Sequence, residues 1–226
     1  QELINAVLDQ PITSETFPYM SCASVGVLGE LGRLFRISFS GEHAYEIAIP
    51  SRYGESLFRL LVSRAEEMGG GPYGMEALNV LRLEKGFITH AEIHGRVTAF
   101  DLGMQRMVSE KKDCIGKTSA ARPGLLDSER EQLIALKPVG PIKQIVAGAH
   151  LFDLNDEPLR QNDKGYVTSV GFSPTFGHFI GLGFLKNGQV RLGDRIKMVD
   201  HLRGVETACE IINTVSFDPK GDRLRD

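Results

Sequence analysis

The chain has no tryptophan and only three cysteines, Cys22, Cys114 and Cys209, spread along 226 residues. An odd count with no Cys-x-x-Cys pair excludes a disulfide framework and a zinc knuckle, so a reducing, cytoplasmic setting is expected. No apolar run approaches the ~20 residues that cross a bilayer. No leader pattern opens the chain, and neither a signal peptide nor a membrane partner is read. The formal net charge is only −3, from 26 basic and 29 acidic residues, and no basic block stands out. That argues against a nucleic-acid surface. No Gly-x-Gly-x-x-Gly follows a strand pattern, and GVLGELG lacks the Lys-Ser/Thr of a phosphate loop, so those nucleotide sites are excluded. No Ser-His-Asp arrangement and no nucleophile is evident, which leaves catalytic residues unassigned. His90 and His94 stand four apart with Glu92 between them, but Gly86 and Gly95 bracket the segment and no third ligand offers itself. No metal site is expected.

What is present is ordinary globular material, long enough to bury a core. Gln1 opens without a start Met or a cap on a stripe of Leu3, Ile4, Val7 and Leu8, which predicts a helix over 1–9 stopped near Pro11 and a fragment of a longer chain. CASVGVLGELGRLFRISFS reads as one or two strands broken around Gly29 to Gly32, and AYEIAIP as another strand closed by Pro50. SRYGESLFRLLVSRAEEMGGG predicts a helix with Leu57, Phe58, Leu61, Val62, Ala65 and Met68 on one face. GPYGMEALNVLRLEKG predicts a second helix, with Gly86 as its stop. VTAFDLGMQRMV suggests a short strand and turn, and KKDCIGKTSAARPGLLDSER a polar boundary. Beyond it six short apolar segments recur with turn signals between them, Asn187-Gly188 reading as a hairpin turn. The predicted class is α+β: residues 1–127 form an α+β part and residues 128–226 a small β-barrel or sandwich.

One stretch carries chemistry. FRISFSGEHAYEIAIP, residues 35–50, reads as a hairpin with Glu42 and Glu46 around a tight Ser-Gly corner. Strand side chains alternate faces. Tyr45, Ile47 and Ile49 therefore share a greasy face, while Glu46 stands between Ala44 and Ala48. A carboxylate in a small-lined hollow suits a ligand with two adjacent N–H donors in one plane, such as a pterin or guanine edge. On residue types alone an internal ion pair, with Arg82 or Arg36 as the partner, is the more ordinary reading.

The same stretch resembles the aromatic-x-Gly-Glu-x-x-x-Glu segment of the glycine-cleavage T-protein family. GPYGMEALNVLRLEKGF resembles that family's helix ending Leu-Arg-x-Glu, and GYVTSVGFSPTFGHFIGLGFL resembles the Val-Thr-Ser…Ser-Pro…Ile-Gly-Leu-Gly signature of its C-terminal barrel. The match runs in order over about 35–220. Within the family, MEALNVLRLEKGFI and the tail FDPKGDRLRD are most similar to sarcosine oxidase α subunits, with dimethylglycine dehydrogenases next. The resemblance implies a T-protein-like domain, N-terminally truncated, followed by a β-barrel. It also implies a tetrahydrofolate site, with Glu46 on the pterin, Phe39 beside it, and Glu42, Tyr45 and Arg82 in the same site; Glu42 has capping of the turn, and Arg82 with Glu84 a structural tie, as the other reading. The implied function is acceptance of the one-carbon unit from oxidised sarcosine, giving 5,10-methylenetetrahydrofolate. Flavin (FAD or FMN) and NAD are then expected elsewhere in the complex, and a flavin-bearing β subunit as partner. The alternatives are an aminomethyltransferase, a dimethylglycine dehydrogenase-like protein, and a folate-dependent maintenance factor without turnover. The last carries a Cys within Lys-Gly-Cys-aromatic-x-Gly-Gln-Glu, whereas KDCIGK around Cys114 lacks the aromatic, the Gln and the Glu. T-proteins also have an Arg where Leu78 stands, and an Asp upstream of anything in this sequence.

Overall fold

The computed structural model describes residues 1–140 and 144–225. Its contacts divide the chain into two units, Gln1–Arg82 with Asp218–Asp226, and Leu83–Phe217.

The first unit is a three-stranded antiparallel sheet with a helix on its greasy face. Strand β1 (Cys22–Val27) turns into β2 (Glu30–Phe35) through Leu28 and Gly29. Both turn residues have positive φ, 51° and 83°, as a two-residue hairpin requires. The Asp9 carboxylate accepts the Gly29 N–H at 3.0 Å and fixes the corner. The opening helix α1 covers only Glu2–Asn5, shorter than the stripe predicted. The reason is competition from the sheet: the Leu28 N–H donates to the Val7 carbonyl at 3.2 Å, and the Asp9 N–H to the Gly26 carbonyl at 3.0 Å. Ile4, Val7 and Leu8 are nonetheless all buried, against Val27 and Leu34.

Strand β3 (Glu46–Ala48) pairs with β2 in the register Glu46–Phe35, Ile47–Leu34, Ala48–Arg33. The tight hairpin expected at Ser40-Gly41 does not form; residues 36–45 are an irregular loop. Ser38 Oγ accepts the Gly41 N–H at 3.0 Å and Ser40 Oγ the Glu42 N–H at 3.3 Å. These local side-chain bonds offer the backbone an alternative to a ladder. Helix α2 (Gly54–Glu67) presents Leu57, Leu60 and Leu61 to the core. That i, i+3, i+4 stripe is narrower than predicted, and Phe58 and Met68 are 62% and 46% exposed.

Helix α3 (Met75–Glu84) ends where expected, with Gly86 at φ +70°. A side chain there would run into the Thr214 carbonyl. The second unit then builds a closed barrel in the order β4-β7-β6-β5-β8-β9 from β4 (Glu131–Pro138), β5 (His150–Asp153), β6 (Gly165–Ser173), β7 (His178–Lys186), β8 (Arg195–Asp200) and β9 (Val205–Ile212). Leu136, Leu151, Leu185, Ile196 and Met198 fill its interior, each at most 0% exposed. Gly183 explains part of the Ile-Gly-Leu-Gly signature: a Cβ on it would stand 2.5 Å from the Tyr166 carbonyl of β6, beside the bulge at Val167/Ser169. Asn187-Gly188 is not a hairpin turn, because it links β7 to β8 and these are not neighbours in the barrel. No strand forms in VTAFDLGM; Thr98 and Asp101 close it into a turn, the Thr98 N–H donating to Asp101 Oδ2 at 2.8 Å.

Three buried carboxylates hold the segment after α3 to the barrel. Glu84 accepts Ser173 Oγ–H at 2.5 Å and Thr175 Oγ1–H at 3.2 Å. Glu92 is wholly buried and accepts the Thr89 N–H at 2.8 Å and the hydroxyls of Thr168 and Ser169, each at 2.6 Å. Asp101 is 3% exposed and accepts Arg130 Nε–H at 2.9 Å and Nη2–H at 2.7 Å. The Ser-Pro and Val-Thr-Ser motifs of the barrel are thus the hydroxyl clamps of Glu84 and Glu92.

Two outcomes follow for the fold. Gly86→Ala should destabilise the chain by about 2–4 kcal/mol in a denaturant melt, from left-handed backbone plus overpacking. For Asp101, burial alone would raise the carboxyl, but Arg130 and Thr98 outweigh it and hold the group below its ordinary value. Its unfolded form takes up a proton near pH ~3.9. The stabilisation is therefore complete above that value and is lost as pH falls through the lower folded one. The stability gap between wild type and Asp101→Asn should shrink on acidification from about pH 6 to about pH 3, measured by denaturant unfolding at each pH.

Candidate functional site

The residues singled out in 35–50 belong to the first unit, on β3 and the loop that feeds it. Alternation along β3 turns Ile47 into the core, with Tyr45 and Ile49 on the same side. Glu46 and Ala48 face the other way and are exposed. The register places Phe35 opposite Glu46, and Arg33 opposite Ala48. Side chains directly opposite in an antiparallel pair share a face. Glu46 therefore sits on an open sheet face with Ala48, Phe35 and Arg33, rather than in the enclosed hollow expected. Its carboxylate makes no hydrogen bond or ion pair among the described residues.

The two arginines considered as internal partners are occupied elsewhere. Arg36 is wholly buried; its Nη2 donates to His43 Nδ1 at 3.1 Å and to the Leu224 carbonyl at 3.2 Å. Its guanidinium lies 5.1 Å from the centre of the Tyr45 ring. Arg82 is 3% exposed and donates from Nε to Asn79 Oδ1, one helical turn back on α3, at 3.0 Å.

Each remaining residue has its own setting. Tyr45 is half-buried, its hydroxyl 2.9 Å from His43 Nε2. An arginine offers only donors, so His43 Nδ1 accepts, and a neutral ring then carries its proton on Nε2 toward Tyr45. Burial pushes the Tyr45 phenol up, against the pull of Arg36. Phe39 is 38% exposed on the loop. Glu42 accepts Arg223 Nε–H with both oxygens, at 2.9 and 2.8 Å. The structure thus ties Tyr45 to Arg36 and His43, and Glu42 to Arg223. It shows no contact of Glu46 with Glu42 or Arg82. Arg223 and Leu224 were missed by the sequence reading, because nothing local marks a pairing across 181 or 188 residues.

Two cavities of this unit are lined by other residues. A cavity of about 310 Å³ is bounded by Val27, Ile49, Tyr53 and Leu57, and one of about 510 Å³ runs along Ala23–Gly26 and the segment after Asp9. Among the described residues no group of acidic, His and Cys side chains is placed to hold a metal ion. His94 Nε2 lies 3.1 Å from the Tyr166 hydroxyl. Cys114 is exposed, with no unusual partner. No helix among the described residues is long and apolar enough to cross a membrane.

The comparisons match this architecture. Residues 1–112 match the family model described as GCVT N-terminal domain, and residues 132–218 the glycine cleavage T-protein C-terminal barrel domain. The sarcosine oxidase subunit alpha of Rhizobium meliloti (strain 1021) is 40% identical over 225 residues, 98% of this chain and 23% of that protein. The corresponding subunit of Corynebacterium sp. (strain P-1) is 37% identical over 94% of this chain and 22% of that protein. An aminomethyltransferase of Thermotoga neapolitana is 27% identical over 91% of this chain and 54% of that protein. The crystal structure of the glycine cleavage system aminomethyltransferase T from Bartonella henselae shares the fold, with a TM-score of 0.71 at 24% identity over 83% of this chain and 50% of that one. This chain therefore spans under a quarter of the sarcosine oxidase alpha subunits and about half of the aminomethyltransferases it matches. With both family models matched in order, the chain belongs to the glycine cleavage T-protein family, as a T-protein-like part similar to that of sarcosine oxidase alpha subunits.

Proposed function

We propose that this chain is the tetrahydrofolate-binding portion of a sarcosine oxidase α-type subunit. In that reading the module receives the one-carbon unit of oxidised sarcosine and yields 5,10-methylenetetrahydrofolate. The observation that carries it is Glu46: a carboxylate without an internal partner, on a sheet face kept low by Ala48. A planar pair of donors, such as the amino-pyrimidinone edge of a reduced folate, would satisfy both oxygens at once. Each charged hydrogen bond of that kind contributes roughly 1.5–3 kcal/mol.

The other residues support this acid. Phe39 offers an exposed ring on the loop before β3. Tyr45 precedes Glu46 and is held by His43 and Arg36. Glu42 and Arg82 enter as residues that shape the site, Glu42 through Arg223 and Arg82 through α3. The module's contribution is capture and orientation, so that the folate nitrogens face the incoming carbon; proximity of that kind is worth up to ~7–11 kcal/mol of a barrier. Oxidation would take place at a flavin, with NAD also bound elsewhere in the complex, and a flavin-bearing β subunit is the partner in this reading. In this reading a folate part and a barrel divide near residue 127.

The test is binding. Calorimetry of the full-length protein with tetrahydrofolate should show Glu46→Ala weakening affinity by about 100-fold or more, as expected for two lost charged hydrogen bonds. Circular dichroism should be unchanged, because Glu46 supports no internal contact. Unaltered affinity in Glu46→Ala would place the folate elsewhere. Flavin bleaching on titration with sarcosine separates this reading from an aminomethyltransferase, which has no flavin to bleach.

A further inference from the structure

We propose that residues 219–225, the last stretch of this sequence, form a strap that holds the loop 36–45 in its ligand-ready shape, making Arg223 and Leu224 positioning residues of the site. The ligand named here rests on the folate reading; the strap itself does not.

Four observations carry it. First, the tail is anchored: Leu224 is 6% exposed although it lies in a single helical turn, Asp222–Arg225. Second, it grips the loop at two separate points. Arg223 Nε donates to both oxygens of Glu42, and the Leu224 carbonyl accepts from Arg36 Nη2 at 3.2 Å. Third, the grip is transmitted. The same Arg36 nitrogen reaches His43, the His43 ring reaches the Tyr45 hydroxyl at 2.9 Å, and Tyr45 is the residue before Glu46. One buried guanidinium thus touches the tail, the middle of the loop and the aromatic that leads into β3. Fourth, the tail is braced internally. The Asp222 N–H donates to Asp218 Oδ1 at 3.0 Å, and Arg225 Nη1 donates to the Lys220 carbonyl at 2.8 Å.

The tail also falls outside both family matches, which stop at residue 218. The loop it holds falls inside the first, residues 1–112. A shared loop is therefore fixed here by a segment that the general family pattern does not specify. A loop outside the sheet ladder sits nearer the low-stability end of a fold, where a modest external contact sets its opening.

The test uses the full-length protein with Arg223→Ser, and with the charge swap Glu42→Arg plus Arg223→Glu. Hydrogen exchange at the Gly41 and Glu42 amides reads the loop directly. Arg223→Ser should speed exchange there about fivefold, as expected for an exposed ion pair near the top of its range. The Kd for tetrahydrofolate should rise by a similar factor, with turnover at saturating tetrahydrofolate and the melting temperature unchanged. The charge swap should restore both exchange and affinity. Unchanged exchange at Gly41 and Glu42 overturns the strap, whatever the ligand. Faster exchange with an unchanged Kd overturns the positioning role and leaves the folate reading standing. If the wild-type protein does not bind tetrahydrofolate at all, the folate reading fails and the positioning role fails with it, while exchange still decides the strap.

Discussion

A carboxylate sealed from water survives only when donors meet its lone pairs, and the wrapping of the barrel in this chain depends on that rule. Glu84, Glu92 and Asp101 are all buried, and each recruits its donors from a different place. Glu84 takes the hydroxyls of the β6–β7 corner, Glu92 those of the β6 bulge, and Asp101 the fork of Arg130 at the foot of β4. Between them they pin the segment that leaves α3, and its apolar residues, Ile88, Val97 and Leu102, settle onto the outside of the barrel. Hydrophobic burial is non-directional and would accept other placements. The three acids admit one.

Glu46 in the first unit follows the opposite logic. Glu46 stands exposed and unengaged within its unit, and Glu42 is half-exposed and neutralised by one arginine. An unengaged carboxylate on a surface is unremarkable by itself. Its setting gives it weight: the neighbouring loop is ordered by serine hydroxyls, a buried guanidinium and an aromatic ring, which is more local organisation than a solvated strand end requires.

Much of this was legible in sequence. The strands of the barrel showed as six regular apolar segments, which left barrel and sandwich both open, and α2 and α3 as helical stripes with glycine stops, because these patterns are local. The alternation that sets Glu46 against Ile47 is also local, and it held. What failed was whatever depended on competition between elements. The stripe Leu3, Ile4, Val7, Leu8 suits a helix, but Val7 and Asp9 find sheet partners in β1, and pairing won. Ser38 and Ser40 alternate with apolar residues as in a strand, yet their hydroxyls cap nearby N–H groups and unmake the hairpin. Asn187-Gly188 has the residues of a hairpin turn, but barrel order is set by nonlocal pairing. The partners of Glu42 and Arg36 lie near the far end of the sequence, where no spacing rule reaches.

The first unit is assembled from two stretches of chain with the whole barrel between them. During synthesis on the ribosome, the early stretch emerges long before residues 218–225 exist to complete it. Its loop must wait, uncapped, while the barrel that separates the two stretches is made. Closing so long a loop raises the entropic cost only slowly with length, yet it delays the event in time. The barrel can therefore mature first, which makes docking of residues 218–225 a late checkpoint on whether the loop acquires its working form.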